Sequence, residues 1–280
     1  MLGNVSPEKP VGSYLLIYAP VAFCFSFLCG LLGHSYHPLA AYQVYAFACA
    51  VWFALGALIL RPARLWPPTK VESLSALASN IILTSESLAL MMPSSILTVI
   101  AGKAGCLLLP DPTDTRPAWK RYGLAAVTAA AVVMASLNRP LRLLIIPALL
   151  ACAYVFGYAV KLHAVRQAKN VAAAKAGFLS AGQVVVMGIT LSLALGISHV
   201  VPSAPLFDWR LWAVALCSLG CGLIGTRLML HKTRQGIVFP AYRSLSLICA
   251  LGASAARGEP LHWSGWVAVG LGTLVVLWAS

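Results

Sequence analysis

Ten apolar runs, each about 16–24 residues long and separated by short polar connectors, dominate this chain of 280 residues. They lie near 13–32, 39–60, 73–92, 95–110, 119–137, 141–160, 176–197, 209–230, 236–256 and 261–279. Crossing about 30 Å of hydrocarbon takes roughly 20 apolar helical residues, and only helices or closed barrels satisfy their own backbone inside lipid. The runs do not alternate with period two, so helices are expected. The fold class that follows is an all-α polytopic membrane protein of ten transmembrane helices. Composition agrees, because 60% of residues are hydrophobic and 10% charged, against about 25% charged in a soluble domain.

The net charge of +13 raises the question of nucleic acid, but the cations do not form a continuous basic face. They gather in the connectors, where a cytoplasmic excess of Lys and Arg sets orientation. With the N-terminus inside, thirteen fall in inner connectors, among them Lys70, Lys161 and Arg166. Four (Arg139, Arg142, Arg210 and Arg257) fall outside, which places both termini in the cytoplasm. No nucleic-acid partner is expected. All eight cysteines lie in apolar runs, without a disulfide framework or paired CxxC spacing. Cys217 and Cys221 share a helical face, read as small-residue packing. The first residues, MLGNVSPEKPVG, lack the basic region and cleavage site of a secretory signal, so the first run is expected to remain as a span.

Lys103 and Arg243 sit 140 residues apart, each inside an apolar run. A charge at bilayer depth costs roughly 2.5–3.5 kcal/mol even on the most lenient scale, so it usually serves a pathway or a partner. Five spans per half forces a duplicated half to insert upside down, which gives two inverted repeats, 1–140 and 141–280. An offset of 140 aligns ILTVIAGKAG with GIVFPAYRSL and pairs Lys103 with Arg243.

With these features the chain resembles the drug/metabolite transporter superfamily, in particular its EamA-like ten-helix branch. Arg257-Gly258-Glu259-Pro260-Leu261, then Gly265 and Gly270, looks like that family's Gly-Glu turn leading into a glycine-punctuated last helix. SESLALMMPSSILTVIAGKAG is similar to its short hairpin of third and fourth helices. The first half departs from the pattern, with Asp111-Pro112-Thr113-Asp114 at the place of the Gly-Glu turn and no arginine in the second span. The resemblance implies transport. It also implies that basic residues of the fourth and ninth helices, here Lys103 and Arg243, face substrate phosphate.

Several residues are candidates for a central cavity. Lys103 is about 11 Å from either end of its span at 1.5 Å per residue, so its side chain reaches an interface only partway; snorkelling is the alternative. Arg243 follows Pro240, which opens the helix backbone, and Tyr242, and its planar fork suits carboxylate or phosphate. Glu86 is the only acid inside a span. Isolated from cations it is a proton carrier, whereas beside Arg227, Lys103 or Arg243 it is an ion-pair partner. Asn80, Gln183, Tyr154 and Tyr158 are cavity polars or interhelical hydrogen-bonders, and the two tyrosines, four apart, share one face. His34 and His37 have ligand-like spacing but no third partner nearby, so an interfacial loop is expected.

The expected function is a carrier that moves a small organic solute by alternating access through a cavity between the repeats. Buried cations outnumber the single buried acid, which points to an anionic solute bearing phosphate or carboxylate. Proton coupling through Glu86 is an open alternative. A flippase for a phosphorylated lipid carrier is the runner-up, and an intramembrane enzyme the third reading, lacking an Asp-rich metal motif or a nucleophile with its base. No enzyme activity, metal or cofactor is expected. The partners are the solute or lipid phosphate and the surrounding lipids, in a monomer or homodimer. The setting expected is the bacterial inner membrane.

Overall fold

The computed structural model describes residues 11–60, 70–92, 106, 145–167, 207–230 and 245–258, with 247 and 251 left out. Among these residues the regular structure is helical, with no strand. Five helices carry the architecture: α1 (Val11–Ser35), α2 (Pro38–Leu60), α3 (Lys70–Met91), α4 (Ile145–Gln167) and α5 (Trp209–Leu230). Four match the first, second, third and eighth apolar runs within three residues at each end. The fourth, α4, starts four residues after the sixth run and continues seven beyond it. Gly12–Ser35 and Ser73–Met91 are long and apolar enough to cross a membrane. Large side chains such as Leu16, Ile17, Leu149 and Phe156 are exposed on the helices.

Local sequence explains how the helices begin and end. Pro38 opens α2, at a position where its missing N–H costs nothing. Asp208 caps α5: its carboxylate Oδ1 accepts the backbone N–H of Arg210 at 2.9 Å, and its carbonyl accepts that of Leu211 at 3.0 Å. At the end of the helical stretch after 252, Gly258 adopts φ +71°. That left-handed conformation suits glycine as a helix terminator. Arg257 and Gly258 thus form a turn at the end of this stretch, and Glu259, Pro260 and Leu261 lie outside the described residues.

Small residues set the packing. Gly33 lies so close to the Met91 carbonyl that a Cβ would collide with it, and a Cβ on Gly157 would stand 3.1 Å from the Ala78 carbonyl. Small residues at helix contacts allow such close backbone approaches. They bring α1 against α3, and α3 against α4. Gly220 faces Val21 while Arg210 Nη1 reaches Ser35 Oγ at 3.2 Å, so α1 and α5 run antiparallel. Interhelical polar ties add specificity. The Tyr45 hydroxyl pairs with Ser218 Oγ at 2.6 Å, Tyr42 with Thr84 Oγ1 at 2.7 Å, and the Trp52 indole donates to the Trp212 carbonyl at 2.9 Å. Around them Leu32, Leu211, Val214 and the two tyrosines form the buried core.

Candidate functional site: a polar cavity between the helices

A cavity opens where α1, α3, α4 and α5 meet the helical stretch at Ser246. From α1 come Tyr18, Ala22 and Phe25, spaced four and three apart and therefore on one face. Pro20 lies in the same turn and removes a backbone donor there. From α3 come Ser79, Ile82, Leu83 and Glu86, again a single helical face. Tyr158 and Lys161, three apart, face it from α4, and Cys221, Gly222 and Gly225 complete it from α5. The two glycines let the wall approach without side chains. The space open to the centre of a water molecule is about 20 Å³, and one water needs about 10–15 Å³ by that measure. The cavity therefore has room for a water or two in this conformation.

Its chemistry is mixed. Glu86 and Lys161 bring opposite charges to one apolar-walled space, with Lys161 only 4% exposed. Ser79 is 2% exposed, and its Oγ has no hydrogen-bond partner among the described residues. A buried hydroxyl left so is costly, and polar orphans of this kind mark places where a water or ligand group fits. Ser246, also buried, lines the same cavity.

The structure distributes the sequence candidates unevenly. Glu86 and Tyr158 both line the cavity. Tyr154 is buried against Tyr158, ring centroids 5.0 Å apart at 51°, and is not part of the lining. Asn80 lies on α3 and Arg227 on α5, with only their backbones described. Lys103, Gln183, Tyr242 and Arg243 lie outside the described residues. Lys161 corrects the reading of the chain: assigned to a cytoplasmic connector, it is instead buried within α4. Hydropathy ends a run at the first cation, but α4 continues through Lys161 for six more residues. The signal was available in Tyr154, Tyr158 and Lys161, whose spacing keeps one helical face going past residue 160. His34 and His37 are exposed, and His37 Nδ1 accepts the Leu39 N–H at 3.3 Å. Among the described residues no cluster of His, Cys, Asp or Glu could hold a metal.

No family model matches the sequence, and no curated protein matches it. A solved structure described only as "Crystal structure of protein" is similar over 97% of this chain and 98% of its own, with a TM-score of 0.63 and 16% identity. At that identity the likeness concerns the fold alone.

Proposed function

We propose that the protein is a multi-pass transporter of the drug/metabolite transporter type, moving a small organic anion by alternating access. On this reading ten helices form two inverted five-helix repeats with both termini in the cytoplasm, in a bacterial inner membrane. The observation that supports it most is the cavity itself. Its walls come from α1 and α3 in the first half of the chain and from α4, α5 and Ser246 in the second. Inverted-repeat carriers place their substrate sites at such an interface. Lys161 and the open Ser79 hydroxyl supply the donors that a carboxylate or phosphate needs. A charged group inside a membrane helix is costly to keep and so is a functional candidate.

The test is a thermal-shift screen of purified protein against organic anions and lipid phosphates, followed by flux of each hit in proteoliposomes. Saturable uptake of a soluble anion supports the proposal. Covalent turnover without net flux contradicts it, and flipping of a lipid phosphate would assign the lipid instead.

A further inference from the structure

We infer that Tyr36, Asp208 and Arg210 form a clasp that fastens the two halves together at one membrane face and must open during transport. The Asp208 carboxylate is held from three directions. Arg210 Nε donates to both oxygens at 3.0 Å, Arg210 Nη2 to Oδ2 at 2.6 Å, and the Tyr36 hydroxyl to Oδ2 at 2.9 Å. The guanidinium also reaches Ser35 Oγ at 3.2 Å and stands 5.7 Å from the centre of the Tyr36 ring. Asp208 is 7% exposed and Arg210 27%, so water competes little for the carboxylate. Ser35 and Tyr36 close the end of α1 in the first half of the chain, while Asp208 and Arg210 begin α5 in the second. A second tie lies farther back along α1, beside Phe25, where Arg257 Nη1 donates to the Ser26 and Phe27 carbonyls at 2.8 and 3.3 Å and Nη2 to Ser254 Oγ at 3.1 Å.

Position gives the clasp its role. Phe25, the cavity residue nearest this end of α1, is ten residues from Ser35, about 15 Å of helix. The clasp therefore stands between the cavity and the face that carries the turn after Ser35. The free volume of the cavity is small, about 20 Å³. A clasp made of charge-assisted hydrogen bonds favours the closed state only while its geometry persists. Removing it shifts the balance between closed and open forms by its differential contribution to the two.

This inference rests on the transport reading, but its readout requires no substrate. Cys221 lines the cavity. In full-length protein with Cys221 as the single cysteine, a membrane-impermeant maleimide is applied from each face in turn, in right-side-out and inverted vesicles. The clasp predicts that Tyr36→Phe and Asp208→Asn each raise the labelling rate from the face carrying the Ser35 turn by about tenfold, with labelling from the other face unchanged or slower. Tyr36→Phe removes one hydroxyl and keeps the ring, so it carries the test if Asp208→Asn does not fold. Unchanged labelling in a folded Tyr36→Phe protein overturns the clasp, as does acceleration from the opposite face alone. Uptake in proteoliposomes is measured separately, so a clasp without flux and a flux without a clasp are told apart.

Discussion

Arg257 lays its guanidinium against the bare Cα of Gly30, 227 positions away in the chain, close enough that a Cβ there would displace it. From that position it reaches two carbonyls of the α1 backbone. A glycine inside an apolar helix thus serves as a docking place for a cation from the other half of the protein.

Gly30→Ala tests which effect wins. Alanine is favoured over glycine in a helix by about 0.5–1 kcal/mol, so propensity alone predicts stabilisation. Hydrogen bonds to a charged group contribute roughly 1.5–3 kcal/mol, and displacing the guanidinium weakens them. A net loss of about 1–2 kcal/mol is expected in detergent-solubilised protein. In an Arg257→Ala background the same substitution should be neutral or stabilising, and the double-mutant cycle reads the difference.

Gly33→Ala should be more damaging than Gly30→Ala. At Gly30 the obstacle is the end of a flexible side chain, whereas at Gly33 it is the Met91 backbone carbonyl, which moves only with α3. Overpacking of this kind costs typically 1–3 kcal/mol. Thermal melts of the two variants side by side give the ranking.

Asp208 makes stability depend on acidity. The hydrogen bonds from Arg210, together with those from its backbone N–H and from Tyr36, hold the carboxyl below its usual value of 3.8. A group depressed in the folded state stabilises fully above its unfolded pKa and loses that contribution as pH falls through the folded one. The melting temperature of the parent should therefore exceed that of Asp208→Asn at pH 7, and the gap should close as pH falls below about 3.8. A gap that stays constant down to pH 2 would contradict the assignment.

Ser79 and Ser75 separate binding from stability. Both hydroxyls are buried without partners among the described residues, but only Ser79 lines the cavity. Removing an unsatisfied buried hydroxyl recovers part of a desolvation cost of about 1–3 kcal/mol, so both alanine variants should melt higher than the parent. Ser79→Ala should weaken uptake of the transported anion, and Ser75→Ala should leave it unchanged. Equal uptake in both would remove Ser79 from the binding site.

Where helices are described, their extent was legible in the sequence because long apolar runs bounded by polar connectors specify buried helices, whereas the runs near 95–110, 119–137, 176–197 and 261–279 lie almost wholly outside the described residues. The runs near 13–32, 39–60, 73–92 and 209–230 recur as α1, α2, α3 and α5. Glu86 drew attention as the only acid in a span, and it lines the cavity. Lys161 was misplaced because a local hydropathy reading cannot tell a cation at a membrane surface from one buried among neighbouring helices. That distinction is made by α1, α3 and α5, which are distant in sequence. The same limit hid Arg257, whose partners at Ser26 and Phe27 are more than 200 residues away. The sequence does hold the cap signal at Asp208, an acid immediately before an apolar run, but not the hydroxyl of Tyr36 that completes it.

The most direct measurement is uptake by proteoliposomes containing parent, Lys161→Gln or Glu86→Gln protein, each shown to be folded by its melting curve. The cavity account predicts saturable accumulation of an organic anion by the parent, and a loss of about tenfold or more, equivalent to 1.4 kcal/mol of binding, in Lys161→Gln. Glu86→Gln, which removes the cavity's acid, should also reduce or abolish uptake. Undiminished flux in both folded variants would contradict the claim that this cavity carries the solute.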